Sequence, residues 1–211
     1  FAVVIRDFEQ EACFILLVWA LAIMGYKGRR ALYEKALLER RLLDIPEGTS
    51  VLPEDAREYS RPLEALPDAE QDYLLPRTLL SALQRFATTG SIQAVSDSVR
   101  ESCEVESERL DSELSMVRYI AWAIPSIGFI GTVRGIGEAL GQAYKAVEGD
   151  ITGVTVSLGV AFNSTFVALV LSIIIMVCLH QLQLSQERLV LDCQRYADKR
   201  LLRHLRPADG M

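Results

Sequence analysis

Two apolar spans separated by a short polar turn fill residues 119–180, and each carries a regular row of small or hydroxyl side chains. Within both rows the steps are three or four residues, the spacing that places side chains on one face of an α-helix. The first row is Ala121, Pro125, Gly128, Thr132, Gly135 and Ala139, and the second is Ser157, Ala161, Thr165, Ala168 and Ser172. Lipid-facing surfaces normally carry larger aliphatic side chains, whereas small residues let helices approach closely in a membrane. The rows therefore predict two membrane helices, each with a dedicated inner face.

A third apolar run covers residues 12–26. It is short beside the roughly 20 residues that a helix needs to cross a bilayer, and a tilt or the interfacial side chains of Trp19 and Tyr26 would make up the difference. We therefore predict three transmembrane helices, at residues 12–26, 119–144 and 151–180. Basic clusters follow the first and the third, and by the positive-inside rule both of those ends face the cytoplasm. The clusters are Lys27, Arg29 and Arg30, and Arg188, Arg195, Lys199, Arg200, Arg203 and Arg206.

The segments between and beyond the spans are predicted to be helical as well. Residues 1–11 mix aromatic and charged side chains, as expected of an extracytoplasmic helix at the membrane interface. Residues 27–118 form a cytoplasmic helical loop domain, and residues 181–211 form a cytoplasmic C-terminal helix. The predicted fold class is all-α, a helical membrane protein whose three transmembrane helices are extended into the cytoplasm by long helices. Since residue 1 is Phe and not Met, we expect the chain to be part of a longer protein.

An acidic run stands in the loop domain shortly before the second span. Apolar residues at helical spacing, from Val95 to Val117, predict one buried helix face there. The glutamates of the run are expected to form the opposite, solvated face of the same helix. They are Glu101, Glu104, Glu106 and Glu108.

Composition excludes several classes of function. The net charge of −6 argues against a general nucleic-acid-binding protein, which would show a basic patch. The four cysteines form no CxxC pair, so we interpret them as small hydrophobic residues and not as a disulfide framework or a zinc site. They are Cys13, Cys103, Cys178 and Cys193. The sequence also lacks a nucleophile–base pair and a phosphate-binding glycine loop. We therefore expect no enzyme, no metal and no cofactor.

Two sets of polar residues lie inside the predicted spans. Arg134 and Glu138 are four residues apart, so they share a helix face and form a possible intramembrane ion pair. Alternatively, they lie near the outer headgroups, where long charged side chains reach water easily. Thr132 and Thr165 each stand within a row of small residues, and polar groups at membrane depth tend to mark function. Their alternative role is an ordinary hydrogen bond to a backbone carbonyl one turn earlier.

Both spans carry a motif around their threonine. Residues 125–135 read PSIGFIGTVRG, and residues 159–169 read GVAFNSTFVAL. The first motif resembles the P-x-x-G-x-x-G-T-V-x-G signature of the MotA/TolQ/ExbB proton-channel family. The second is similar to that family's third-span motif, in which a threonine follows small residues. The resemblance covers roughly residues 119–180, and the predicted topology of the whole chain agrees with it.

The resemblance implies a homo-oligomer, a pentamer of this chain, around two copies of a single-span partner of the ExbD/TolR/MotB type. Each partner would carry the aspartate that takes and releases protons. This chain would be the pore-forming subunit of a proton-motive-force-driven motor or energiser in a bacterial inner membrane, with its N-terminus outside. The residues that would line the ion path are Thr132, Thr165, Asn163, Ser157 and Ser172. Those that would pack helices or contact the partner are Pro125, Gly128, Gly131, Gly135, Ala161 and Ala168.

One position differs from the narrower TolQ and ExbB group. Those members carry a glutamate five residues before the third-span threonine, whereas this chain has Val160 there, and Asn163 is the nearest polar substitute. Two other functions stay open. A non-conducting membrane scaffold would use the small-residue faces only to pack partner helices, and its threonines could be replaced without effect. A soluble helical protein would bury the same runs in a core, but two uncharged runs of this length argue against it.

Overall fold

The computed structural model describes residues 8–40, 42–46 and 49–207, and within these ranges the chain is all-α, as predicted. Eight α-helices and one 3-10 helix, at Leu202–His204, are found there, and no strand. The α-helices are α1 (Phe8–Glu39), α2 (Ala56–Glu64), α3 (Asp68–Gln71), α4 (Leu74–Thr89), α5 (Ile92–Glu113), α6 (Ser115–Gly141), α7 (Ala143–Val147) and α8 (Thr152–Arg200).

Three stretches of helix are long and apolar enough to cross a membrane. The first is α1, so the short apolar run at residues 12–26 lies inside a helix of 32 residues. The second is Ile92–Gly141, which contains α5 and α6, and the third begins at Thr152 and contains α8. These helices confirm the predicted fold class, and the exact borders of the spans stay predictions. Residues 1–7 of the predicted interfacial helix lie outside the described residues, and its last four residues belong to the first turn of α1.

A tight turn joins the second long stretch to the third. Gly149 has a φ of +99°, a left-handed conformation that glycine adopts without steric cost. The next residue, Asp150, accepts a hydrogen bond from the Thr152 backbone N–H at 3.0 Å, as a residue at a helix N-terminus commonly does. Hydrogen bonds from the Thr152 backbone and side chain lower the pKa of Asp150. This carboxylate therefore helps to start α8 at Thr152.

The chain divides into two compact units, and the first, called the apolar unit, contains Phe1–Lys27 and Leu114–Leu182. Buried side chains of α1, α6 and α8 form its core, among them Cys13, Ala20, Ile120, Ile124, Ala168 and Ile175. Large apolar side chains on the other helix faces are exposed, among them Trp122, Phe129, Val133, Phe162, Phe166 and Ile173. Soluble monomers rarely expose so much contiguous apolar surface, so these faces suit contact with lipid or with further helices.

The second unit, called the charged unit, contains Gly28–Glu113 and Gln183–Met211. Its core surrounds the fully buried Phe86 and includes Leu63, Leu79, Leu83, Val95, Val99 and Leu201. Two long-range hydrogen bonds fix its loop segments. The Val51 N–H donates to the His204 carbonyl oxygen at 2.8 Å, and the Leu42 N–H donates to the Tyr196 hydroxyl at 3.1 Å. The unit therefore has a core of its own, separate from that of the apolar unit.

One glutamate of the acidic run is buried, so the prediction of a solvated face is wrong for Glu106. It is 4% exposed, whereas Glu104 and Glu108 are exposed as predicted. Position 106 lies two residues from each of them, which places it on the opposite side of α5. There the Arg77 guanidinium of α4 donates to the Glu106 carboxylate at 2.6 Å, and Arg109 lies 3.6 Å away. These cations offset the cost of removing the carboxylate from water.

Glu34 of α1 is also buried in the charged unit. Its carboxylate accepts hydrogen bonds from Arg30 Nε at 3.2 Å and from the Leu74 backbone N–H at 3.4 Å. Burial raises the pKa of Glu34 above its ordinary value of 4.5, although both hydrogen bonds oppose the shift. A raised pKa in the folded state means that folding favours the protonated carboxyl. The resulting stabilisation is complete below 4.5 and is lost as the pH rises through the folded-state pKa.

We expect Glu34→Gln to make the charged unit at least as stable as the wild type at neutral pH. Glutamine resembles the protonated carboxyl, so no buried charge has to form. Its one oxygen can accept the hydrogen bond from Arg30 or that from the Leu74 N–H, which the carboxylate accepts at different oxygens. The difference between variant and wild type should shrink as the pH falls towards 4.5, because the wild-type carboxyl then becomes neutral. Thermal unfolding followed by circular dichroism over this pH range measures the effect. Glu39→Gln, at an exposed position of the same helix, is the control, and an equal pH dependence in Glu34→Gln and wild type would contradict the prediction.

Candidate functional site

The two threonines of the small-residue rows meet where α6 packs against α8. Their hydroxyl groups are hydrogen-bonded to each other. Thr132 Oγ1 also lies 3.3 Å from the carbonyl oxygen of Gly128 and 3.2 Å from that of Ala161. Thr165 Oγ1 lies 3.0 Å from the same Gly128 oxygen. The ordinary bond to a carbonyl one turn earlier therefore occurs for Thr132, in addition to hydroxyl contacts that join the two helices.

Four oxygen atoms share two hydroxyl protons at this place, which we call the threonine site. A hydroxyl donates one hydrogen bond and accepts others, whereas a carbonyl oxygen only accepts. In one arrangement Thr132 donates to Thr165, which donates to the Gly128 carbonyl. In the reverse arrangement Thr165 donates to Thr132, which donates to the Ala161 carbonyl. The same heavy-atom positions thus accommodate two proton arrangements, which is the property that a proton relay requires.

Direct backbone contact between α6 and α8 surrounds the threonine site. A Cβ atom added at Gly128 would lie 2.5 Å from Ala168 Cβ, and one added at Gly135 would lie 2.7 Å from Ala161 Cβ. No side-chain atom larger than hydrogen fits at these glycines without a shift of α8. The small residues of α6 therefore allow the close approach of α8 from the same chain. Pro125, one turn before Gly128, is half-buried inside α6.

The other residues predicted for the ion path do not join the threonine site. Ser172 Oγ donates to the Ala121 carbonyl oxygen at 3.0 Å, and Gln142 Nε2 donates to the buried Ser157 hydroxyl at 3.4 Å. Asn163 is half-buried on α8 and hydrogen-bonds to neither threonine among the contacts of the described residues. Of the five predicted residues, the two threonines therefore contact each other. Both serines form hydrogen bonds that connect neighbouring helical segments.

Arg134 is paired, but its closer partner differs from the one that the sequence suggested. Arg134 Nε lies 2.8 Å from Glu9 Oε1, and Arg134 Nη2 donates to Glu9 Oε2 at 2.9 Å, which makes a bidentate ion pair between α6 and α1. The predicted pair with Glu138 is the longer contact, at 3.6 Å, and the Glu138 side chain is 50% exposed. The main partner of Arg134 is therefore a carboxylate from the first helix.

Sequence reasoning missed Glu9, because residues 1–11 were interpreted as a helix separate from the first span. In the structure α1 begins at Phe8 and continues without a break into the apolar run. The buried residues Cys13, Ala20 and Met24 follow Glu9 at steps of four and seven residues, so all four share one helix face. A helical periodicity extended back through position 9 would have placed Glu9 on the packed face.

Two of the four cysteines meet in the charged unit. The Cys103 and Cys193 thiols are hydrogen-bonded to each other, which lowers the pKa of Cys103; the same hydrogen bond and burial raise the pKa of Cys193. Both side chains are part of the apolar core around Phe86. Among the residues that the structure describes, no group of three or more His, Cys, Asp or Glu side chains is placed to hold a metal ion. This thiol pair is accordingly part of the packing of α5 against α8.

Comparison with known proteins gives one match. The model of the MotA/TolQ/ExbB proton channel family matches residues 70–195. This range begins before α4, includes the threonine site and the contact between α6 and α8, and ends within α8. No curated protein and no solved structure matches the chain.

Proposed function

The chain belongs to the MotA/TolQ/ExbB proton channel family, and we propose that it is the pore-forming subunit of a motor or energiser driven by the proton-motive force. Its place is the inner membrane of a bacterium, as a multi-pass protein. The observation that carries the proposal is the threonine site, in which two hydroxyls from different membrane-spanning helices share a hydrogen-bond network with two carbonyl oxygens. A hydroxyl can relay a proton if its oxygen accepts one proton while its own O–H proton passes to the next acceptor, so that the side chain carries no net charge afterwards.

In the proposed ion path, the ionisable carboxyl belongs to the partner and the neutral hydroxyls belong to this chain. An ionised aspartate costs several kcal/mol in an apolar environment, and a neutral one costs much less. A path lined by hydroxyls therefore favours passage of the partner's aspartate in its protonated form. A unit charge that crosses the membrane potential gains about 2.3 kcal/mol per 100 mV, which is enough to bias a rotation. This chain then needs no ionised carboxylate at the threonine site.

The proposed assembly is a pentamer of this chain around two copies of a single-span partner of the ExbD/TolR/MotB type. The proposed orientation has the N-terminus outside and the C-terminus in the cytoplasm. The positive-inside rule supports this orientation. Lys27, Arg29 and Arg30 follow the apolar run of α1, and Arg203 and Arg206 follow α8. The exposed apolar faces of the apolar unit support contacts with other helices and with lipid.

Native mass spectrometry of the detergent-extracted complex, co-expressed with the single-span protein encoded beside it, tests the assembly. We expect a mass of five copies of this chain with two copies of the partner. A partner variant whose membrane aspartate is replaced by asparagine is the control, because it should assemble with the same mass and conduct no protons. A monomer, a dimer or an assembly without the partner would overturn the rotary function.

A non-conducting scaffold is the second candidate, and the hydrogen bonds of the threonine site give it a specific basis. Each threonine hydroxyl can be satisfied by a carbonyl oxygen, Thr132 by Ala161 and Thr165 by Gly128, as in ordinary packing of membrane helices. Under this function the hydroxyls contribute only to packing. The two functions predict different results for removal of the Thr165 hydroxyl, as argued in the Discussion.

A further inference from the structure

A buried carboxylate lies in the first turns of α1, at a distance along the chain from both motifs. Glu9 is 7% exposed, and both of its oxygens contact the Arg134 guanidinium, at 2.8 Å and 2.9 Å. Removing a carboxylate from water is costly, and the cost is offset only when the charge is paired in good geometry. Two parallel N–H···O contacts also fix the direction of approach, as a single contact does not. The Glu9–Arg134 pair therefore determines where the beginning of α1 lies on α6.

Glu9 lies next to residues of α6 and α8 that are direct neighbours of the two threonines. A Cβ atom added at Gly131 would lie 3.6 Å from Glu9 Cγ and would overlap the Ser164 side chain, so both side chains lie next to the space that a larger residue at position 131 would fill. Ser164 is 3% exposed, and its hydroxyl has no hydrogen-bond partner among the described residues. Gly131 directly precedes Thr132, and Ser164 directly precedes Thr165. Glu9 therefore lies beside the backbone segments that carry both hydroxyls.

We propose that Glu9 is a positioning residue for the ion path, whose bidentate ion pair with Arg134 holds α1 against Gly131 and Ser164 and so keeps the Thr132 and Thr165 hydroxyls in register. The inference rests on the proposed function, because its readout is proton flux. Glu138 cannot replace Glu9 in this role. Its contact with Arg134 is single, longer and half-exposed, and such pairs contribute little.

The test compares Glu9→Ala with Glu138→Ala in the complete complex with its partner, reconstituted in proteoliposomes that contain a pH-sensitive dye. Proton flux is normalised to the amount of assembled complex, which native mass spectrometry measures. We expect Glu9→Ala to lose proton flux and Glu138→Ala to keep it, although both variants remove a carboxylate from Arg134. Equal flux in Glu9→Ala and wild type would overturn the proposal.

A charge-swapped pair, Glu9→Arg with Arg134→Glu, separates the ion pair from simple packing. We expect each single substitution to lose flux and the double variant to regain it in part. Arginine differs from glutamate in length and shape, so a role of Glu9 in packing alone would not be rescued by the swap. If Glu9→Ala does not assemble, the double variant decides, since an assembled double variant without flux would overturn the proposal. Loss of flux in Glu9→Ala with unchanged flux in Thr165→Val would contradict the positioning role, because Glu9 would then act on flux without the threonine hydroxyls, whereas a wild-type complex without flux would contradict the proposed function instead.

Discussion

Replacing Thr165 by valine is expected to abolish proton flux through the assembled complex and to leave its mass unchanged. Valine has nearly the shape of threonine, so the contact between α6 and α8 is kept. The hydroxyl that bonds both Thr132 and the Gly128 carbonyl is lost, and with it both proton arrangements of the threonine site, because each includes Thr165. An unsatisfied buried acceptor costs about 1–3 kcal/mol, so we expect a small loss of stability and a complete loss of flux. Dye-reported proton flux in proteoliposomes measures the result.

Two further variants make the Thr165 experiment specific. Thr155→Val removes a hydroxyl from the same helix, but this hydroxyl donates to the Thr152 carbonyl of its own helix and is exposed, so flux should stay at the wild-type level. Thr165→Ser restores a hydroxyl at the critical position and should restore flux in part. Unchanged flux in Thr165→Val would contradict the proposed role of the threonine site, and a wild-type complex without any flux would favour the non-conducting scaffold.

Gly135→Ala is expected to destabilise the apolar unit. The added Cβ atom would lie 2.7 Å from Ala161 Cβ and 2.9 Å from the Ser157 carbonyl oxygen, both far inside normal contact distance. The carbonyl belongs to the backbone of α8, which cannot rotate away as a side chain can. Overpacking of this kind typically costs about 1–3 kcal/mol, and here it would also separate the two helices at the threonine site. We expect Gly135→Ala to lower the thermal unfolding temperature of the detergent-solubilised complex and to reduce its yield.

Gly137→Ala is the matched control for this prediction. Position 137 is two residues further along the same helix, and an added Cβ atom would meet nothing within 4 Å. Because alanine favours helix over glycine by about 1 kcal/mol, this variant should be as stable as the wild type or more stable. Equal behaviour of the two alanine variants would show that the close approach of α6 and α8 does not hold the unit together.

The contact between α6 and α8 could be predicted in outline because its determinants are local. Small residues at steps of three and four mark a face of one helix regardless of what lies opposite. The sequence alone could not show which helix each face meets. The structure places Gly128 and Gly135 against Ala168 and Ala161 of the same chain, and this pairing depends on the turn at Gly149 and on the register between two helices. Periodicity contains no information on register.

Two of the three glutamates that are buried in the described part of the chain, Glu106 and Glu9, show where sequence reasoning stops. Position 106 could have been separated from its acidic neighbours by helical periodicity, since it lies on the other side of α5. Its partner Arg77 comes from another helix, at a distance that no local pattern encodes. Glu9 is a stronger case, because Arg134 is 125 positions away in the sequence and the apolar run between them fixes no orientation for α1. Long-range ion pairs are the part of this fold that requires the structure.

The glycine contacts between α6 and α8 have a mechanical consequence. Most packed helices are separated by a layer of side chains whose rotamers adjust, and this layer lets one helix slide slightly over the other. At Gly128 and Gly135 this layer is reduced to a methyl group or is absent, because Ala168 Cβ lies against Gly128 and the Ser157 carbonyl oxygen lies against Gly135. The two helices are therefore expected to move as one stiff body. Relative motion of subunits is then expected at the outer surfaces of the α6–α8 pair. The geometry of the threonine site is expected to stay the same during such motion.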